Sequence, residues 1–259
     1  MGSKMFGKTL AVFGVIMFLA GNASAEIKAR IVDYRSNDGT LLHGYVAYQD
    51  VPGKRPGILI THDWMGLTQF DKDKAIQLAQ EGYVAFAVDV YGKPATSIDE
   101  AKALSSQYKS DRAKLREHMN AAYKQLTDMQ EVDPAKIVVM GYCFGGTVAL
   151  ELARSGANLV GTVSFHGGLS SQNPGNAKNI KGRVLVLHGA EDPLVPPSEV
   201  QDFKKEMQDA KVDMKFIAYT GAVHAFTNPD AGKVKGTAYN EVADKASWAE
   251  FEKFLKEVF

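Results

Sequence analysis

The chain has 259 residues, of which 45% are hydrophobic and 23% charged, with 30 Lys and Arg set against 30 Asp and Glu. That composition excludes disordered, collagen-like and coiled-coil classes, and no basic cluster or aromatic-basic interleaving offers a nucleic-acid surface. A single cysteine, Cys143, leaves no disulfide framework within the chain.

At the start, Lys4 and Lys8 precede an apolar run from Leu10 to Gly21, and Ala23-Ser24-Ala25 follows as an A-x-A cleavage site. The run falls short of the roughly 20 residues that span a bilayer, and the cleavage site argues against an uncleaved anchor. The reading is a secretory signal peptide over residues 1–25 and a single domain over residues 26–259. The protein is then secreted, to the periplasm if the host is Gram-negative, and the mature chain has no membrane partner.

Next, "EIKARIVDYRS" and "LLHGYVAYQD" flank Asn37-Asp38-Gly39, a hairpin turn signal. Six mostly continuous apolar runs follow: residues 57–62, 83–90, 137–142, 159–167, 183–189 and 214–220. Strands buried on both faces read this way. Helix-period segments lie between and after them, at 71–81, 97–130, 145–155, 198–210 and 240–259. The stretch 97–130 predicts two helices broken near Lys109-Ser110-Asp111. This alternation predicts an α/β fold: a mostly parallel twisted sheet with an N-terminal antiparallel hairpin and helices on both faces.

The run at 137–142 turns directly into a helical pattern through Gly141-Tyr142-Cys143-Phe144-Gly145-Gly146. Gly-x-Ser-x-Gly at such a place is a nucleophile elbow, and here cysteine holds the central position. By count alone a lone cysteine is a small buried hydrophobe. Position says otherwise: a thiol between a strand end and a helix N-terminus is favoured as thiolate. Phosphate-binding turns are also glycine-rich, but neither a P-loop Lys-Ser/Thr nor G-x-G-x-x-G is present.

Two partners follow in order. Asp192 lies in "LHGAEDPLVP" after the next strand but one, and His224 lies in "TGAVHAFTNP" after the last strand. Nucleophile, acid, histidine is the α/β-hydrolase order. Alone, Asp192 reads as a turn former and His224 as an incidental loop residue; three such residues after three strands read as a triad. His43, His118, His166 and His188 read as structural. No pair has metal-ligand spacing, so no metal and no organic cofactor is expected.

The motifs "GYCFGG", "HGAEDPLVP", "GAVHAF" and "THDWMGL…GYVAFAVDVYGK" resemble the dienelactone hydrolase family of α/β-hydrolases, over almost all of residues 26–259. The resemblance implies the α/β-hydrolase fold, Cys143 as nucleophile, His224 as base and Asp192 as the acid behind it. It also implies an oxyanion hole from the backbone N–H groups of Phe144 and Trp64, where elbow geometry independently places it. Asp63 matches a family glutamate that holds the resting cysteine, and is one methylene shorter. Lys93 and Asn228 stand at the family's carboxylate-binding arginines, which weakens an anionic lactone as substrate. Tyr91 and Phe226, with Trp64, Met65 and Phe144, are candidates for an apolar substrate pocket. The expected activity is hydrolysis of a small-molecule ester or lactone through an acyl-thioester, by a monomer, with a homodimer as the alternative. The rival reading is a non-catalytic or redox-responsive binding protein built on the same fold.

Overall fold

The computed structural model describes residues 25–259, so the signal segment lies outside the described residues except for Ala25. Strands β1 (Ile27–Arg35) and β2 (Leu41–Gln49) form the expected hairpin, in register from Ile27 opposite Gln49 to Arg35 opposite Leu41. Gly39 makes the turn possible at φ 85°. Beyond the hairpin come β3 (Arg55–Thr61), α1 (Gln69–Gln80), β4 (Val84–Val88), α2 (Ile98–Ser110) and α3 (Arg112–Thr127). Then follow β5 (Val132–Tyr142), α4 (Phe144–Arg154), β6 (Gly161–Phe165), β7 (Arg183–Gly189), α5 (Pro197–Asp209), β8 (Met214–Tyr219) and α6 (Glu241–Val258).

The eight strands form one sheet in the order β1-β2-β4-β3-β5-β6-β7-β8. β2 runs antiparallel to both β1 and β4, and every pairing from β4 to β8 is parallel. Strand order reverses at β3: β4 lies on one side of it and β5 on the other. The loops after β3 and β5 therefore diverge, which opens a crevice at the carboxyl edge of the sheet.

Both faces are covered. Ala75 and Leu78 of α1 and Phe251, Phe254 and Leu255 of α6 pack with Ile58, Ile60, Val138 and Met140 on one face. Leu115 and Met119 of α3 and Val148 and Leu152 of α4 pack with Leu59, Val139 and Phe86 on the other. Phe203 and Met207 of α5 extend that layer over Val184 and Val186. The fully buried Arg154 ties α4 to α5 through Glu206 at 2.7 Å, and Glu151 also pairs with it at 3.1 Å.

The break in the 97–130 stretch falls at Asp111, whose carboxylate accepts the Lys114 N–H at 2.9 Å and caps α3. Two features escape the sequence pattern. β5 starts five residues before its apolar run because Val132 and Asp133 pair with Arg55 and Pro56, ahead of a register shift at Pro56/Gly57. A short 3-10 helix, Pro174–Asn179, forms in a polar stretch with no periodic signal.

Candidate active site

β5 ends at Tyr142 and α4 begins at Phe144, so Cys143 alone makes the turn. It does so at φ 54° and ψ −116°, a conformation that costs a residue with a side chain on the order of 1–3 kcal/mol. Close approach explains the flanking glycines. A Cβ on Gly141 would stand 1.9 Å from Thr61 Oγ1, and one on Gly145 would stand 2.2 Å from the Thr61 carbonyl oxygen. The Thr61 hydroxyl in turn reaches the carbonyl oxygens of Met140 at 2.9 Å and Gly145 at 2.7 Å. The elbow is thus bound to the end of β3, with a half-buried thiol at its tip.

Asp192 follows β7. Its Oδ1 accepts the Leu194 N–H at 2.8 Å, which leaves Oδ2 aimed at His224 Nδ1, also 2.8 Å away. His224 follows β8, and its Nε2 lies 3.0 Å from Cys143 Sγ. Carboxylate, imidazole and thiol therefore stand in one hydrogen-bonded series. The acid and histidine loops are also laced together: Ala190 N–H donates to Tyr219, Glu191 N–H to Ala222, and the Glu191 carboxylate accepts the Gly221 N–H, each at 3.0 Å.

Burial opposes a charge on His224. The charge of Cys143 and the hydrogen bonds to Asp192 and Cys143 outweigh it, and the imidazole is pushed up to about 10. That direction favours the protonated imidazole beside the sulfur.

The N–H of Cys143 itself is occupied, shared between the Phe165 carbonyl at 3.0 Å and His166 Nδ1 at 3.2 Å. Among the described residues, neither the Phe144 N–H nor the Trp64 N–H donates to another group. Trp64 stands in the loop after β3, across the crevice from the elbow.

Asp63 is found on that same loop, where its Oδ1 accepts the Met65 N–H at 2.8 Å; no hydrogen bond joins it to Cys143. Burial raises its pKa, against the Met65 N–H and the charges of His62 and His224. Tyr91 is buried, with its ring against Phe144 at 5.4 Å and His62 at 4.7 Å and its hydroxyl without a partner. Burial first, then the charges of Asp63 and Cys143, keep that hydroxyl protonated.

Three further candidates make contacts of their own. Lys93 pairs with Glu100 at 2.5 Å and lines a surface groove with Ile31, His43 and Lys72. Asn228 spends its side-chain oxygen on the Asp230 N–H at 2.9 Å, as a turn former. Phe226 is wholly buried and packs on Tyr219 and His166, behind the histidine loop rather than along an open pocket.

The sequence reading missed the residues that hold these loops. Asp89 Oδ1 accepts the N–H groups of Tyr91 and Gly92, both at 2.9 Å, and its Oδ2 accepts that of His43 at 3.0 Å. His62 Nε2 accepts the Val90 N–H at 3.1 Å, while His118 Nδ1 lies 2.8 Å from the Val90 carbonyl oxygen. For Asp89 and His62 the only available signal was their place at a strand end; His118 and His166 were read as structural, without their partners. Among the described residues no group of three or more His, Cys, Asp or Glu side chains is arranged to hold a metal ion.

Comparison with known proteins points to one family. A family model described as the dienelactone hydrolase family matches residues 42–259. Protein usf of Aquifex pyrophilus is 31% identical, over 88% of this chain and 98% of its own length. A relative in Aquifex aeolicus that carries the name carboxymethylenebutenolidase, there marked as unproven, is 30% identical over 77% of this chain and 87% of its own. Among solved structures, a dienelactone hydrolase-like promiscuous phosphotriesterase from metagenomic libraries, P91, is 37% identical with a TM-score of 0.86. It covers 90% of this chain, and 99% of its own length is covered.

Proposed function

The chain belongs to the dienelactone hydrolase family, and on that premise we propose that it hydrolyses carboxylic esters or lactones with Cys143, His224 and Asp192 as its triad. The observation that carries this reading is the unbroken series Asp192 Oδ2, His224, Cys143 Sγ, at 2.8 and 3.0 Å, ending on a strained elbow.

The Cys143 thiolate attacks the carbonyl carbon, and the oxyanion that forms is held by the N–H groups of Phe144 and Trp64. Each such donor contributes about 3 kcal/mol, or roughly 100-fold in rate. Collapse breaks the bond to the leaving oxygen, which takes the proton from His224 Nε2, and an acyl-thioester remains on Cys143. Acylation also removes the sulfur's charge, one of the influences that hold His224 high. The imidazole becomes a better base just when it must take a proton from water. Hydroxide then attacks the thioester, the sulfur leaves as thiolate, and the proton stays on His224.

The pairing of Lys93 with Glu100 and the turn role of Asn228 disfavour an anionic substrate. A neutral ester or lactone fits better. The similarity to P91 extends the substrates worth offering to neutral phosphotriesters.

The test is initial-rate hydrolysis of a short aryl ester, a neutral lactone and an anionic dienelactone, before and after alkylation with iodoacetamide. Turnover of the neutral substrates that vanishes on alkylation and in Cys143→Ala is expected. Unchanged turnover in Cys143→Ala would remove the mechanism. Rapid alkylation with no turnover of any substrate would favour the redox-responsive binding protein instead. We further propose that residues 1–25 direct export and are removed, so that the enzyme acts outside the cytoplasm.

A further inference from the structure

His166 sits at the end of β6 and has no part in the series described above. It is nonetheless one of four described non-glycine residues at positive φ, 39°, and it is 2% exposed. Its ring stands edge-on to His224 at 5.4 Å and to Phe226 at 5.0 Å.

Two hydrogen bonds define its state. A backbone N–H can only donate, so the 3.2 Å contact from Cys143 N makes Nδ1 an acceptor without a proton. The proton of the neutral ring is then on Nε2, and it is donated to Thr227 Oγ1 at 2.8 Å. Burial, and next the charge on His224, lower the His166 pKa well below its ordinary value, so the ring stays neutral. Thr227 lies three residues beyond His224 on the same loop and is itself buried.

We infer that His166 is a positioning residue: a neutral bridge from the backbone N–H of Cys143 to Thr227 that fixes the distance between the nucleophile and His224. The inference rests on the proposed triad. Its physical basis is the strain at Cys143. A residue at φ 54° is free to relax unless its neighbours over-determine it; the Cys143 carbonyl accepts the Gly146 N–H at 3.0 Å, and the Cys143 N–H is shared between the Phe165 carbonyl and His166 Nδ1. The far end of the bridge lands on the loop that carries the base, so one side chain references both reacting groups to each other. The bridge has a second consequence. With the Cys143 N–H engaged, the oxyanion must be held by Phe144 and Trp64.

The experiment compares His166→Phe, His166→Gln and Thr227→Val in the full chain, with kcat, KM and the iodoacetamide alkylation rate of Cys143 from pH 5 to 9. Phenylalanine keeps the ring volume and loses both bonds; glutamine can accept from Cys143 with its oxygen and donate to Thr227 with its nitrogen. His166→Phe and Thr227→Val should each lower kcat about 10- to 100-fold with KM little changed, the loss expected for reacting atoms displaced by up to about 1 Å. Alkylation at neutral pH should slow alongside, and His166→Gln should recover most of both. A purely structural role would lower the melting temperature without a split between kcat and KM and without a shifted alkylation profile.

The inference is overturned if a folded His166→Phe retains kcat within about twofold, or if His166→Gln falls as far as His166→Phe. Should His166→Phe fail to fold, the near-isosteric Thr227→Val decides by the same criteria. Should the wild-type chain turn over nothing offered, the alkylation profiles still read the bridge, so its failure is separable from that of the proposed hydrolysis.

Discussion

At the scale of single residues, most of the site's chemistry follows from what surrounds Cys143 and His224. Asp192 does two things for His224: it fixes the ring through Nδ1, and it helps raise the imidazole to about 10. Asp192→Asn keeps an oxygen for the Leu194 N–H and loses the charge. The His224 pKa should fall in that variant, as followed by NMR of its ring protons, and kcat should drop about 10⁴-fold. A His224 that still titrates near 10 in Asp192→Asn would contradict that assignment of cause. Gly145 makes a separate prediction. The Cβ of Gly145→Ala would meet backbone on both nearest sides, 2.2 Å from the Thr61 oxygen and 2.6 Å from the His62 oxygen. Backbone cannot rotate aside as a side chain can, so a loss of about 3 kcal/mol is expected in urea unfolding. Chain order made Cys143, Asp192 and His224 legible in the sequence, since each stands after a strand. The partners of His166 and Asp89 were not legible, because they lie on other loops and no spacing records that. For Lys93 the sequence gives the charge but not the pairing with Glu100.

Elements were legible wherever period and burial agree, and least where polar residues pair. Continuous apolar runs gave β3 to β7 because both faces of those strands are covered, and Asp111 marked the break between α2 and α3 because a cap needs an acceptor. The start of β5 was lost because Asp133, Pro134 and Lys136 interrupt its apolar pattern. The first turn of α1 carries a titratable consequence. Asp71 Oδ2 accepts the N–H and the hydroxyl of Thr68, at 2.8 and 3.0 Å, which closes a capping box around a nearly fully buried carboxyl. Burial raises its pKa from 3.8 to about 6, with the nearby Asp63 adding to the rise. A carboxyl whose pKa is raised by folding binds more protons in the folded state. Its cost is therefore absent below about pH 4, grows as pH rises through about 6, and is complete above that. The full cost is on the order of 3 kcal/mol at pH 7. Asp71→Asn retains an acceptor oxygen for the cap and cannot ionise. The difference in urea midpoint between variant and wild type should therefore move in the variant's favour from pH 4.5 to pH 7. A difference that stays constant with pH would place the ionisation outside that window.

For the whole molecule, the arrangement of the sheet brings distant segments to one crevice. Strand order reverses at β3, so the loop bearing Asp63 and Trp64 and the elbow bearing Cys143 leave adjacent strands in divergent directions, while β7 and β8 deliver Asp192 and His224 from one side. That order was beyond the sequence, which shows that strands alternate with helices but not which are neighbours. The N-terminal boundary bears on export. The Glu26 carbonyl accepts the Asp50 N–H at 2.8 Å, and Ile27 opens the pairing of β1 opposite Gln49. Cleavage after Ala25 would therefore remove the apolar segment and keep every residue that the sheet uses, down to the first pairing carbonyl. Cleavage two residues later would delete Glu26 and Ile27 and shorten β1. Expressed with residues 1–25 in a Gram-negative host, the protein should appear in the periplasmic fraction with Glu26 as its N-terminal residue by intact mass. Cys143 should still react there with iodoacetamide, since the chain holds no second cysteine with which it could close a disulfide. Protein that stays in the cytoplasm with its first 25 residues attached would refute export, and would leave the chemistry proposed for the crevice untouched.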